Sequence, residues 1–333
     1  MNPDLDKMKI STRLIAEEAL RRGFSVKYLL GGRTKTGVLI IDDGKSRIII
    51  KSTVGALTKG YGVFVATNKF LMSQLLSEFG LPTPATMVYS DELSANAFLD
   101  KYKKLVVKPI DTNHGVGITT DITTKEELAT AIDRAQKAAK NSAVLVQEMV
   151  SGIDHRFLVV GDKLVAAAYR EPTFVVGDGV RTIEQLIDEE NTNPLRGSGH
   201  SKPLSTIDKA ITGKHMSKIG KSLNLVLPKG EKLALSGVAN LSQGGRAIDV
   251  TDSVHPSIAE IAVKATKVAG LGVCGVDIMC DDITKDAAVS LPKIIELNES
   301  PGIRMHHFPS EGVGRDVASA ILDQALMAGG LSL

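Results

Sequence analysis

The stretch Lys293-Ile294-Ile295-Glu296-Leu297-Asn298-Glu299-Ser300-Pro301-Gly302 sets two polar oxygen donors inside an apolar run that stops at a proline. Read as a strand, it sends alternate side chains to one face. Glu296 and Asn298 then project together, while Ile295 and Leu297 turn to the opposite layer. A carboxylate and an amide oxygen side by side are hard donors suited to Mg²⁺. A second apolar run, Gly275-Val276-Asp277-Ile278-Met279, carries one acid at its centre. An unpaired carboxylate there would be costly. A salt bridge would account for Asp277 or Glu296 alone, but three oxygen donors on two apolar strands favour a shared cation.

Two further stretches carry chemistry. In KPIDTNHGVGI, residues 108–118, Lys108 closes an apolar strand and leads into a turn containing Gly115 and Gly117. Such a loop brings backbone N–H groups close to phosphate oxygens, and the lysine adds a positive charge. A plain hairpin turn is the simpler alternative, and His114 in that loop is either a general base or incidental. In VLVQEMVSGIDHR, residues 144–156, an apolar strand ends at Gln147-Glu148 and an acid follows at Asp154. A short exposed stretch after a strand can read a purine through backbone groups, with a carboxylate reaching ribose hydroxyls. The spacing by itself does not require this.

Composition narrows the class. The 333 residues are 43% hydrophobic and 23% charged, with 40 Lys+Arg against 38 Asp+Glu, the profile of an ordinary globular chain of two or three domains. A net charge of +2 supplies no field for nucleic acid or anionic lipid. No apolar stretch is long enough to span a membrane, and the start has no signal-peptide pattern. With only Cys274 and Cys280, neither a disulfide framework nor a zinc finger is available. The expectation is a soluble, cytoplasmic protein without nucleic-acid or membrane partners. No GxGxxG follows the first strand. Gly32 and Gly37 have P-loop spacing, but Val38 and Leu39 stand where Lys and Ser/Thr are required.

Periodicity and caps place the elements. Residues 11–22 read as a helix capped by Ser11 and stopped at Gly23, and strands follow at 25–29, 38–41 and 47–50. A second helix runs from Thr67-Asn68 to Gly80, with Pro82 and Pro84 beyond it. Capping boxes open helices at Thr124 and Thr182. A hairpin of 156–160 and 164–169 turns at Gly161-Asp162. Residues 256–269 and 315–326 read as helices, and 177–235 as a loop-rich insertion. Strands and helices interleave, giving an α+β chain with α/β segments.

In this order, Lys69 near a helix start, Lys108 before a glycine loop, the Gln147-Glu148-Met149-Val150 hinge, Asp277 and ELNESPG resemble the nucleotide and metal motifs of the ATP-grasp superfamily. KPIDTNHGVGIT, REPTFVVGDGVRTIEQLID, NPLRGSGHSKPL, VANLSQGGRAIDVTD and ESPGIRMHHFPSEG resemble the cyanophycin-synthetase branch more than the similar domain of bifunctional glutathione synthetases. The resemblance runs from about residue 10 to the end. It implies a short amino-terminal segment (1–60), a first lobe (61–145) and a second lobe (146–333) with the 177–235 insertion, the two lobes clasping ATP. It also implies a free-standing core without the flanking domains of that branch.

The implied activity is an ATP-dependent carboxylate–amine ligase joining amino-acid or peptide substrates through an acyl phosphate. Two alternatives stay open: a glutathione-synthetase-like ligase, or a nucleotide-binding subunit working with a separate Mur-ligase-like partner. A homo-oligomer is compatible with either. By the same resemblance Asp277, Glu296 and Asn298 would hold two Mg²⁺, and Lys69 and Lys108 the α/β-phosphates. The loop Asn113, His114, Gly115 and Gly117 would close over the γ-phosphate. Gln147, Glu148 and Val150 would lie at adenine and Asp154 at the ribose. Arg304, with Arg156 and Arg170 as second choices, would hold the substrate carboxylate or phosphate.

Overall fold

The computed structural model describes residues 4–31, 34–110, 116–139, 143–197, 202, 204–237, 239 and 241–330. The NHG portion of the glycine loop (Asn113, His114, Gly115) therefore lies outside the described residues. The chain opens with helix α1 (Ile10–Arg21), then β1 (Ser25–Gly31), β2 (Thr34–Asp42) and β3 (Arg47–Lys51), an antiparallel sheet in the order β1-β2-β3. Helices α2 (Gly60–Thr67) and α3 (Lys69–Glu78) lead into a second sheet. Its elements are β4 (Thr86–Val88), α4 (Glu92–Tyr102), β5 (Leu105–Pro109), β6 (Thr119–Ile122), α5 (Lys125–Ala138) and β7 (Val144–Glu148), with strand order β4-β7-β5-β6.

The third sheet begins with the hairpin β8 (Ile153–Val160) and β9 (Lys163–Glu171). The chain then leaves it through β10 (Phe174–Val176), α6 (Ile183–Asn191), β11 (Arg196–Gly197), β12 (Leu204–Ser205), α7 (Lys209–Lys218) and β13 (Lys232–Ala234). It returns with β14 (Arg246–Asp249), α8 (Pro256–Val268), β15 (Val273–Cys280), α9 (Ala287–Ser290) and β16 (Lys293–Asn298), giving the order β14-β9-β8-β15-β16. Helices α10 (Arg304–His307) and α11 (Val317–Gly329) close the described chain. All ladders of the three main sheets are antiparallel. This is an α+β arrangement rather than a parallel α/β one.

The five-stranded sheet is covered on both faces. Phe157, Val159, Ala167, Cys274, Val276 and Ile278 pack under Val65, Met72 and Leu76 of α2–α3 and Ile258, Ala262 and Ala265 of α8. On the other face Leu158, Val160, Ala166 and Val273 meet α1, the first sheet and Ile321, Leu322 and Leu326 of α11. That second face is apolar at one end only. Farther along it, strand alternation presents Asp154, Arg156, Arg170, Asp277, Glu296 and Asn298. The four-stranded sheet has its own core with α4 and α5, built on Leu99, Leu105, Val107, Leu128, Ile132 and Val146. A fourth small core joins Val175, Ile183, Leu186, Ile187, Ile207, Met216, Leu227 and Leu235. Residues 60–78 thus place their apolar side chains in the core of the five-stranded sheet, and α3 also touches β4 of the four-stranded one, Ser73 Oγ lying 3.5 Å from Thr86 Oγ1.

Several local expectations change. Helix α1 starts one residue early with Lys9 as N-cap, and Ser11 Oγ, instead of capping, accepts Ile303 N at 3.2 Å. A bulge in the β15–β16 ladder lets Asp277 face Glu296 and Ile278 face Ile294. Ile294, rather than Ile295, therefore joins Leu297 in the core. The 177–235 stretch contains the expected boxed helix, plus α7, capped by Asp208, and short strands. Gly161 turns the β8–β9 hairpin at φ +63°, as its place in the sequence suggests.

Candidate active site

Cross-strand register builds the centre. Arg156 on β8, Asp277 on β15 and Glu296 on β16 stand directly opposite one another across three neighbouring strands. Both Asp277 oxygens are engaged: Oδ1 accepts from Arg156 Nε, and Oδ2 accepts from Arg156 Nη2 and Arg170 Nη2, each at 3.0 Å. Arg170 also donates to Asp154 Oδ1 at 2.5 Å. Burial pushes the Asp277 carboxyl up, but the two guanidiniums outweigh it and hold it below the usual carboxylate range. For Asp154 burial prevails over Arg170, and its carboxyl is raised.

Lys69, at the first position of α3, brings its Nζ to 3.7 Å from Glu296 Oε1. The helix starts there because Asn68 caps it through Leu71 N at 3.0 Å. Lys108 arrives from the other sheet. Its buried Nζ donates to Gln147 Oε1 at 2.8 Å, and Gln147 Nε2 donates to Thr86 Oγ1 at 2.7 Å. Burial pulls Lys108 down to about 8, with Glu296 opposing and Lys69 adding to the fall. Two lysines, two arginines, three acids and an amide from both sheets and α3 therefore converge on one place.

The donors fit a divalent cation. Asp277 and Glu296 are adjacent across the ladder, and Asn298 lies two residues along the Glu296 face. Asn298 Nδ2 donates to Gly275 O at 3.2 Å, which leaves its carbonyl oxygen as the atom that could meet a cation. The Glu296 side chain is 34% exposed. Among the described residues, no cluster of three or more His, Cys, Asp or Glu side chains offers a metal site, so any cation must draw on Asn298 or on ligands it brings.

Other expected residues take different places. Glu148 fastens the start of β4, its Oε2 accepting Ala85 N at 3.1 Å. Val150, half-buried, lies in the 149–152 crossing from the four-stranded to the five-stranded sheet. Asp154, expected at the ribose, is held by Arg170 within the charged network. Gly117 adopts φ +75°, and a Cβ there would come within 2.7 Å of Ala138 Cβ and 2.9 Å of Pro109 Cγ. The fold by itself therefore gives a reason for glycine at this position. Arg304 is buried, donating to Lys202 O at 2.7 Å and Ser205 Oγ at 3.3 Å. It fastens the insertion to α10 beside the charged network.

Two participants were missed or underweighted. Arg156 was only a second choice, because nothing in sequence order says that β8 and β15 are neighbours. His306 was read only as part of the ESPGIRMHHFPSEG stretch, with no role of its own. It is buried with neither ring nitrogen hydrogen-bonded, and burial, with Arg156 next, lowers it to about 3. Beside this region a cavity of about 370 Å³ is lined by Phe174, Glu190, Arg196, Leu204, Arg246 and Phe308, between the insertion and the segment after α10.

The RimK-like ATP-grasp domain model matches residues 66–174 and 237–325, more than half of the chain. The interval it skips is the one with the separate small core. The chain is 41% identical over 318 residues to a cyanophycin synthetase of Geminocystis herdmanii, covering 94% of this chain and 36% of that protein. It is 33% identical over 323 residues to a bifunctional glutathione biosynthesis protein of Clostridium perfringens, covering 96% and 41%. The crystal structure of a bifunctional glutathione synthetase from Pasteurella multocida superposes with a TM-score of 0.75 at 28% identity, covering 97% of this chain and 44% of that one. The chain thus spans about two fifths of the length of these relatives. Among the described residues no helix is long and apolar enough to cross a membrane.

Proposed function

Because the chain belongs to the RimK-like ATP-grasp family, we propose that it is an ADP-forming carboxylate–amine ligase, joining amino-acid or peptide substrates as cyanophycin synthetase does. The observation that carries this reading is the meeting of Lys108 from the four-stranded sheet with Lys69 and Glu296 at the five-stranded one, where Glu296 stands directly opposite the arginine-bound Asp277. A nucleotide lying between two sheets would meet cations from both. We read the four-stranded sheet with α4 and α5 as the first lobe, the five-stranded sheet as the second, and the 177–235 stretch as an insertion on it.

A carboxylate is a poor acylating agent, since its oxygen is a poor leaving group. Transfer of the ATP γ-phosphoryl group gives an acyl phosphate and ADP. Attack by an amine then forms the amide and expels phosphate. Positioning and charge compensation dominate such transfers. Lys69 and Lys108 would take the phosphate oxygens, Gln147 fixing the direction of the Lys108 ammonium. Arg156 and Arg170 would meet charge developing on the transferred group and the substrate carboxylate. Glu296, Asn298 and Asp277 would hold Mg²⁺, which, when bound, neutralises charge on the phosphates. The glycine loop would exclude water, which would otherwise hydrolyse the acyl phosphate.

The test is phosphate release with ATP and Mg²⁺ across aspartate- and arginine-containing peptides, against γ-glutamylcysteine plus glycine. Turnover with the first set supports the cyanophycin-type reading. Turnover only with the second assigns the glutathione type, and no turnover with any carboxylate–amine pair refutes the ligase reading.

A further inference from the structure

The acids and the cations of the candidate site are committed to one another. Asp277 takes three hydrogen bonds from Arg156 and Arg170, and Glu296 faces Lys69 at 3.7 Å. Lys108 lies within the field of both Lys69 and Glu296. A free divalent cation would meet carboxylates already compensated by ammonium and guanidinium groups. A free polyphosphate would meet cations already compensated by carboxylates. Each ligand alone would have to break ion pairs and strand their partners in a partly buried place, which is strongly unfavourable.

Resting on the ligase reading, we propose that the site loads by ion-pair exchange. The divalent cation takes Asp277 and Glu296 at the moment the phosphates take Arg156, Arg170 and Lys69, so each half-ligand binds weakly without the other. The device is one of coupling between two ligands. Coupling of this kind is reciprocal and typically amounts to about 5–150-fold in affinity. It has a consequence that a set of independent contacts lacks. Removing an acid frees its cations for phosphate, so a variant disabled as a metal ligand binds metal-free nucleotide more tightly than the wild type.

The experiment is calorimetric titration of the full chain with ADP, in EDTA and in Mg²⁺, for the wild type, Asp277→Asn, Arg170→Gln and the double variant. Exchange predicts that Asp277→Asn tightens ADP binding in EDTA by at least about fivefold and that the gain is largely lost in the Arg170→Gln background. A gain that persists there reflects simple relief of repulsion between Asp277 and phosphate, and it overturns the exchange. So does the absence of any gain. Asp277→Asn leaves two inward arginines short of a counter-charge. If it does not fold, Glu296→Gln with Lys69→Gln forms the same cycle at a more exposed pair, under the same two criteria. Wild-type binding of ADP with Mg²⁺ separates the two ideas. Its absence removes the ligase reading itself, whereas its presence without the cycle's coupling removes only the exchange.

Discussion

Acidification should destabilise this fold through two buried imidazoles, and its size follows from their surroundings. His306 is lowered to about 3 by burial and then by the Arg156 charge. His155 is lowered to about 4 by burial, with Arg170 adding to the effect and a hydrogen bond to Ile153 O opposing it. Both have a reference value of 6.5. A histidine with a depressed folded-state value binds its proton in the unfolded chain first. Stability is therefore complete above 6.5 and falls as pH drops towards 3–4. Between pH 7.5 and 5.0 protonation stabilises each unfolded imidazole by about 2 kcal/mol while the folded ones stay neutral, a combined loss of about 4 kcal/mol. Lys108, at about 8, contributes only about 0.2 kcal/mol over this window. Urea unfolding at the two pH values measures the difference. In His306→Leu the loss should shrink to about 2 kcal/mol. Because neither ring nitrogen of His306 has a partner to lose, its stability at neutral pH should hold or rise. Equal stability at both pH values, or an undiminished loss in His306→Leu, would refute the reasoning.

Glu296→Gln should remove turnover while leaving the unfolding midpoint near wild type, since its side chain is partly exposed and its Lys69 contact is long; near-normal ATP consumption would sink its metal role. Gly117→Ala should cost about 2–4 kcal/mol from left-handed backbone strain and overpacking against Ala138 and Pro109, read by urea unfolding; a loss below 1 kcal/mol, against that range, would mean the turn relaxes freely. Arg304→Lys should raise the substrate KM with ATP binding little changed, because lysine cannot reach Lys202 O and Ser205 Oγ together; an equal loss in ATP affinity would place Arg304 on the nucleotide. Lys108→Met should weaken ADP binding and leave the four-stranded sheet folded, checked by calorimetry and circular dichroism; unchanged ADP affinity would take Lys108 off the phosphates.

Much of the chain was legible from local rules because those rules act over a few residues. The Thr124 and Thr182 boxes, the Asn68 cap, the turn at Gly161 and the strand 293–298 depend on hydrogen bonds and φ values set by neighbours in sequence. So does the pairing of Glu296 with Asn298 on one face, which needs only strand alternation. The family, too, was legible, because its motifs are short segments in a set order. What the tertiary structure decided was which segments are neighbours. Strand order put Arg156 beside Asp277, a pairing between positions more than a hundred residues apart that no local periodicity encodes. It gave Asp277 two arginines as partners where the sequence favoured a shared cation over a salt bridge. A single bulge exchanged Ile294 for Ile295 in the core. Packing against Pro109 and Ala138 explains why Gly117 is glycine, and the same kind of non-local enclosure leaves His306 neutral and unpartnered. Burial and ion pairing are properties of assembled surfaces, so the sequence could name the chemical groups of this site but not the charge compensation among them.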